Sequence, residues 1–228
     1  MKPFVFINVA VTADGKTDTF ERRGAAISSA RDKERVDNLR AGSDAVMVGG
    51  RTLLDEDPKL TVKSEALRAE RVAHGLSPNP IKVGVATKAD IRPDSNFLHA
   101  GAARIVIFTT DRTSKTQVEF LRERDVEVYV HHSPRVDLEE ALRTLNELGV
   151  ERLMVEGGGT LNFELLRLGL VDELTMYVAP MIFGGQAAPT AAAGSGVARG
   201  AAIPLKLVQS EIHEDGGVVL KYQVEKSK

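Results

Sequence analysis

The stretch Leu153-Met154-Val155-Glu156-Gly157-Gly158-Gly159-Thr160-Leu161-Asn162 decides how the rest of the chain is read. Three apolar residues end in a glutamate, three glycines follow, and Thr160 opens an apolar, helix-compatible run through Leu168. This is the pattern of a buried strand turning sharply into a helix, and glycines leave no side chain to cover the first N–H groups of that helix. Bare backbone donors and the positive end of the helix dipole favour phosphate at such a turn. A glutamate at the strand's carboxyl end stands where open α/β sheets place ligands. A tight strand-to-helix connection without a ligand uses glycines in the same way, so the flanking chain must discriminate.

Upstream, the pattern predicts a helix from Ser114 to Arg124, a strand from Val126 to Val130 and a helix from Leu138 to Leu148, which is βαβ alternation. Earlier still, Phe4 to Thr12 reads as a buried first strand ending at Thr12-Ala13-Asp14-Gly15-Lys16, with Asp-Gly as the turn. Ser28 or Ser29 caps a helix that Gly42 stops, and a strand from Asp44 to Gly49 empties into a second glycine turn at Gly49-Gly50-Arg51. The short helix after that turn ends at Pro58. Ser64 to Pro80 is charged and weakly helical, a surface excursion, and strands follow at Ile81 to Ala86 and Arg104 to Thr109.

Downstream, Val171 to Ala179 predicts a long strand, and Leu205 to Ile212 with Val218 to Val224 predict an antiparallel pair joined through Glu214-Asp215-Gly216-Gly217. Phe183 to Ile203 is rich in Gly and Ala without an apolar period, and a loop of that length in a compact domain is more often functional or interface-forming than idle. The expected architecture is α/β: a mostly parallel central sheet flanked by helices, with an antiparallel C-terminal edge, in one domain over residues 1–228.

Composition narrows the function. With 30 basic and 32 acidic residues in 228, the net charge of -2 gives no global attraction to nucleic acid or a membrane surface. No apolar run approaches the ~18 residues of a spanning helix and no cleavage-site pattern opens the chain, so a soluble, cytoplasmic protein is expected. The absence of cysteine excludes disulfides, iron–sulfur clusters, cysteine nucleophiles and the Pro-Cys-x-x-Cys zinc site of nucleobase deaminases. The five histidines lack metal-ligand spacing and read as surface or loop residues, so no metal is expected. Gly15-Lys16-Thr17 lacks the glycine a phosphate loop needs at position 10, which is Ala10. Asn162 stands where a Gly-x-Gly-x-x-Gly motif needs its third glycine, and no Gly-x-Ser-x-Gly elbow is present. What remains is a set of strand ends: Asp14 and Lys16, Thr52 and Glu56, Thr87 and Lys88, and Glu156 with its glycines. Parallel strands bring such ends to one rim, which is a small-molecule site.

Taken together, Thr12-x-Asp14-Gly15-Lys16, Leu39-Arg40-Ala41 before Asp44 to Gly49, Thr52 to Leu60 with Asp57-Pro58, and Glu156 to Leu161 resemble the riboflavin-biosynthesis reductases. Val171-Asp172-Glu173 and Pro180 to Gly185 look like them too, and the likeness is greatest to the stand-alone archaeal members. The resemblance implies a dihydrofolate-reductase-like fold, a homodimer, and reduction of a phosphoribosylaminopyrimidine's ribosyl group to ribityl, with NADPH, or NADH, giving hydride to C1′ of the opened imine. It places Thr52, Glu56, Thr87 and Gly157, Gly158, Gly159, Thr160 and Leu161 at the cofactor. It makes Asp14, Lys16 and Glu156 the catalytic group, with Lys16 donating to the ribose oxygens and Glu156 orienting the pyrimidine or that lysine. Arg40, Lys59 and Lys63 are the candidates for the substrate phosphate. A dihydrofolate reductase, which expects one acidic proton donor amid aromatic pterin contacts, and a non-catalytic nucleotide-binding module are the competing readings.

Overall fold

The computed structural model describes residues 1–225. Two compact units emerge from one chain: Asp37–Met154 with the first three residues, and Phe4–Val36 with the chain from Val155 onward.

The first unit is built on parallel strands, β2 (Ala45–Gly49), β3 (Ile81–Val85), β4 (Ile105–Thr110) and β5 (Val126–His131), in the order β5-β4-β3-β2. Met47 pairs with Val83 and Phe108 with Tyr129. Strands covered on both faces need continuous apolar sequence, and Ala-Val-Met-Val-Gly in β2 is buried at every position. Helices α2 (Glu65–Ala73), α3 (Asn96–His99), α4 (Lys115–Arg122) and α5 (Leu138–Glu147) lie in the crossovers. Ser64, Ser95, Ser114 and Asp137 cap their amino ends through side-chain acceptors. Thr52–Glu56 forms a single π-helical turn, and Leu53 packs where a Cβ on Gly84 would stand, so a bare strand residue admits the turn to the sheet.

The second unit carries β1 (Phe4–Thr12) parallel to β7 (Glu173–Ala179), which pairs antiparallel with β9 (Val218–Val224), followed by β8 (Leu205–Ile212). Helix α1 (Ala30–Ala41) and strand β6 (Arg152–Val155) are the two elements in which the chain passes from one unit to the other. Helix α6 (Gly159–Arg167) follows β6 directly. Parallel strands followed by an antiparallel C-terminal edge are the expected α/β architecture.

Two expectations are corrected, and one element was not anticipated. Ser64 to Pro80 is more than a surface excursion: α2 buries Arg71, whose guanidinium donates to the carbonyls of Ala41, Ser43 and Ser77 at 2.6–2.9 Å. The histidines are not all surface or loop residues, since His131 lies in β5 and is 8% exposed beside Glu140, while His213, in the loop after β8, is 3% exposed against the Tyr177 ring. Helix α3 has no apolar period of its own and is set by distant partners described below.

Candidate active site

At the end of β1 the chain makes a tight turn around the Thr12 hydroxyl, which donates to Asp14 at 2.5 Å and accepts the Lys16 N–H at 3.0 Å. The Thr12 N–H reaches the Lys16 carbonyl at 2.8 Å, and Gly15 supplies the positive φ of +78° that this closure needs. Asp14 is exposed but committed: its carboxylate also accepts the N–H groups of Gly184 at 2.7 Å and Phe183 at 3.3 Å. The Thr12 hydrogen bond, ahead of the two backbone ones, holds the Asp14 carboxyl below its usual range. Lys16 is half-buried in the same turn.

Glu156, half-buried, leaves β6 and leads into the glycine turn. Gly157 has φ +105°, a backbone conformation that strains other L-residues. Gly158 is the N-cap of α6 and offers no side-chain acceptor, so no side chain caps the amino end of the helix. Thr160 is exposed and Leu161 buried. Asn162, 1% exposed, donates Nδ2 to the Ala191 carbonyl at 2.8 Å, while its Oδ1 has no hydrogen-bond partner.

The loop after Phe183 holds both of these features. Thr17 N–H donates to Pro189 O at 2.9 Å, Lys16 forms an isolated antiparallel bridge with Thr190, and Ala193 N–H donates to Gly159 O at 3.0 Å. A Cβ on Gly159 would collide with the Thr190 carbonyl. Asp14, Lys16 and the glycine turn are therefore tied to one segment of backbone. Thr12 and Asn162 were quoted in the sequence only as parts of motifs and not as site residues, and Thr190 was not singled out. The signal available for Asn162 was an amide in the apolar first turn of a helix.

The remaining candidates belong to the other unit. Thr52, buried in the π-turn, donates its hydroxyl to Glu56 at 3.1 Å. Thr87 follows β3, and its carbonyl accepts the Thr110 hydroxyl at 2.7 Å, with Lys88 paired to Asp90. Arg40 donates to Thr61 O at 3.1 Å, and Asp37, one turn earlier on α1, accepts the N–H groups of Lys63 and Ser64 at 2.6 and 2.8 Å. Helix α1 thus gathers Arg40 and the Lys63 backbone, while Lys59 is exposed after Pro58.

Asp57 has φ +48° and turns its carboxylate onto the amino end of α3, accepting from the Ser95 hydroxyl and the Asn96 and Phe97 N–H groups.

The family model described as the RibD C-terminal domain matches residues 3–220. A 2,5-diamino-6-ribosylamino-4(3H)-pyrimidinone 5′-phosphate reductase of Methanothermobacter thermautotrophicus is 40% identical, covering 98% of this chain and 99% of its own. The protein of the same name from Archaeoglobus fulgidus is 41% identical over 85% of this chain and 88% of its own. Among solved structures, a pyrimidine reductase-like protein of Corynebacterium diphtheriae superposes with a TM-score of 0.84 over 99% of this chain and 93% of that one, at 19% identity. A dihydrofolate reductase of Enterococcus faecalis shares the fold at a TM-score of 0.50 and 14% identity, over 98% and 97% of the two chains. By the match over nearly its whole length and by its full-length relatives, the chain belongs to the RibD C-terminal domain family.

Proposed function

We propose that this protein reduces the ribosyl group of 2,5-diamino-6-ribosylamino-4(3H)-pyrimidinone 5′-phosphate to ribityl, with NADPH as hydride donor, and that both units serve one reductase domain. The observation that carries this reading is the 40% identity with a reductase of that name along 98% of this chain, with a phosphate-type glycine turn and a lysine turn tied to the same loop.

The residues fit a dinucleotide. An α6 amino end without a side-chain cap, approached through bare glycines, offers the N–H donors a pyrophosphate takes. Gly157 to Leu161 would hold the pyrophosphate, with Thr52, Glu56 and Thr87 as the further cofactor contacts. When bound, the nicotinamide supplies the hydride. The protein's part is geometry and proton control: Lys16 donates to the ribose hydroxyls and to the sugar oxygen that gains charge as the ring opens. Glu156 orients the pyrimidine or Lys16. Arg40, Lys59 and Lys63 take the 5′-phosphate, where charge-assisted bonds fix the substrate.

Two copies associate through the β8 edge, which is exposed along nearly its whole length and displays Leu205, Leu207, Val208 and Ile212. No helix of the described residues is long and apolar enough to cross a membrane.

The test follows the absorbance of the reduced nicotinamide, with NADPH or NADH and with the phosphoribosylaminopyrimidine or dihydrofolate. The expected result is oxidation of NADPH with the pyrimidine and a product heavier by two hydrogens. Oxidation with dihydrofolate alone would make the protein a dihydrofolate reductase, and binding without oxidation would make it a nucleotide-binding module.

A further inference from the structure

The segment Gly184–Ala193 has no helix or strand of its own, so its backbone groups are satisfied by whatever lies beside them. Its two ends are gripped by side chains from different elements. At one end the Asp14 carboxylate accepts Gly184 N–H at 2.7 Å, and at the other Asn162 Nδ2 donates to Ala191 O at 2.8 Å. Between them Thr17 N–H meets Pro189 O, Lys16 bridges Thr190, and the Arg22 guanidinium reaches Ala187 O at 2.9 Å. Beyond them Ala193 N–H closes on Gly159 O.

We propose that Gly184–Ala193 is a strap that sets Lys16 against the glycine turn, with Asp14 and Asn162 as the positioning residues at its two ends. The proposal rests on the assignment of Lys16 and the glycine turn to substrate and cofactor made above.

Two observations favour this over a passive loop. Asn162 is 1% exposed, and the bond to Ala191 is the one its side chain makes among the described residues, its Oδ1 being unpartnered. A buried amide left half-satisfied is costly, and here the half that is satisfied faces the strap. Asp14, at the other end, accepts the Thr12 hydroxyl and the Phe183 N–H on Oδ1 and the Gly184 N–H on Oδ2. Two of these three bonds come from backbone at the start of the strap, so the carboxylate is turned toward the segment it holds. Because Lys16 and Gly159 bond to strap residues only three apart, Thr190 and Ala193, slack at either end is felt by both.

The test uses Asp14→Asn, Asn162→Ala and the double variant of the full chain, with amide hydrogen exchange, urea unfolding, NADPH binding and steady-state kinetics. In the free protein each single variant should speed exchange at the Thr17 and Ala193 amides while the unfolding midpoint moves little. Each should lower kcat about tenfold through misplacement of Lys16, with the acidic limb of the pH profile retained. The double variant should lose no more than the worse single, because one element is released in all three. Unchanged Thr17 exchange in Asn162→Ala overturns the proposal, as do fully multiplicative losses. A vanished acidic limb in Asp14→Asn also overturns it and makes that carboxylate a proton carrier. If Asn162→Ala does not fold, Asn162→Ser, too short to span the bond to Ala191, takes its place. Exchange in the free protein needs no turnover, so a wild type that oxidises no NADPH refutes the reductase reading while the strap is still judged by its amides.

Discussion

Lys82 is the second residue of β3 and has no solvent exposure, and its Nζ donates to the Phe97 carbonyl at 3.0 Å and to that of Ala100. These carbonyls sit at the carboxyl end of α3, whose amino end is capped by Asp57. A four-residue helix, too short to persist alone, is held by a cation at one end and a carboxylate at the other. Each sign matches the backbone groups it meets.

Burial pushes the Lys82 ammonium down to about 8, against the pull of Asp57. Between pH 8 and 10.5 the unfolded chain holds a proton the folded chain has released, so stability rises with pH across that window. The full rise is on the order of 3 kcal/mol. Urea unfolding at stepped pH should show this rise in the wild type and a flatter profile in Lys82→Met. Equal slopes would mean that the buried amine does not titrate there.

Asp57→Asn should remove a pH dependence of the same sign in a different, acidic window. Burial alone would raise this carboxyl, but hydrogen bonds from Ser95, Phe97 and Asn96 outweigh it and hold the group below 3.8. A depressed carboxylate stabilises the fold above its unfolded value, and that stability is lost as pH falls through the folded value. The variant should therefore be less stable near neutrality by roughly 1–3 kcal/mol, with the difference shrinking below pH 4. A difference that stays constant on acidification would separate the cap from the charge.

These partners mark where sequence reading stopped. Strands β1, β8 and β9 were legible to the residue, because Pro3, Pro204 and Gly216-Gly217 punctuate their starts. Helix α3 was not, since Asp57 and Lys82 supply its ends from 39 and 15 residues away and leave no local period. The burial of His131 and His213 is likewise decided by what packs over them. At the candidate site, the glycine turn and the Asp14/Lys16 turn could be read from local chemistry. The strap could not, because its own residues enter these bonds through backbone groups, and the side chains that hold them, Asp14, Arg22 and Asn162, lie far away in sequence.

The β8 edge gives a prediction about assembly. Ile212 is 80% exposed, and Leu207 and Val208 are also open on a strand paired only with β9 among the described residues. Edge strands are normally blunted by charge or covered. Sedimentation velocity should find a dimer in the wild type and a monomer in the Leu207→Glu/Ile212→Glu double variant, with unchanged far-ultraviolet dichroism. A wild-type monomer at assay concentration would remove β8 as the interface.

The glycine turn predicts loss of cofactor without loss of fold. Gly158→Val places a branched side chain at the α6 N-cap, where the backbone donors are left uncovered. NADPH binding, measured by fluorescence of the reduced nicotinamide, should weaken by at least about a hundredfold, the scale of losing two or more charge-assisted hydrogen bonds. Undiminished binding would move the pyrophosphate away from this turn.

Lys16 separates binding from chemistry. Its backbone is fixed by Thr12 and Thr190 whatever its side chain, so Lys16→Ala should leave the turn and the glycine site folded. What disappears is the ammonium that donates to the sugar oxygen as it gains charge. A donor aimed at developing charge is worth roughly 10²–10³ in kcat, and the predicted loss is at least that, with NADPH affinity within about twofold of wild type. Lys16→Arg keeps the charge but spreads it over a planar fork, so it should recover substrate binding more than turnover. Equal losses in NADPH affinity and kcat would place Lys16 at the cofactor, and wild-type turnover in Lys16→Ala would remove it from the mechanism.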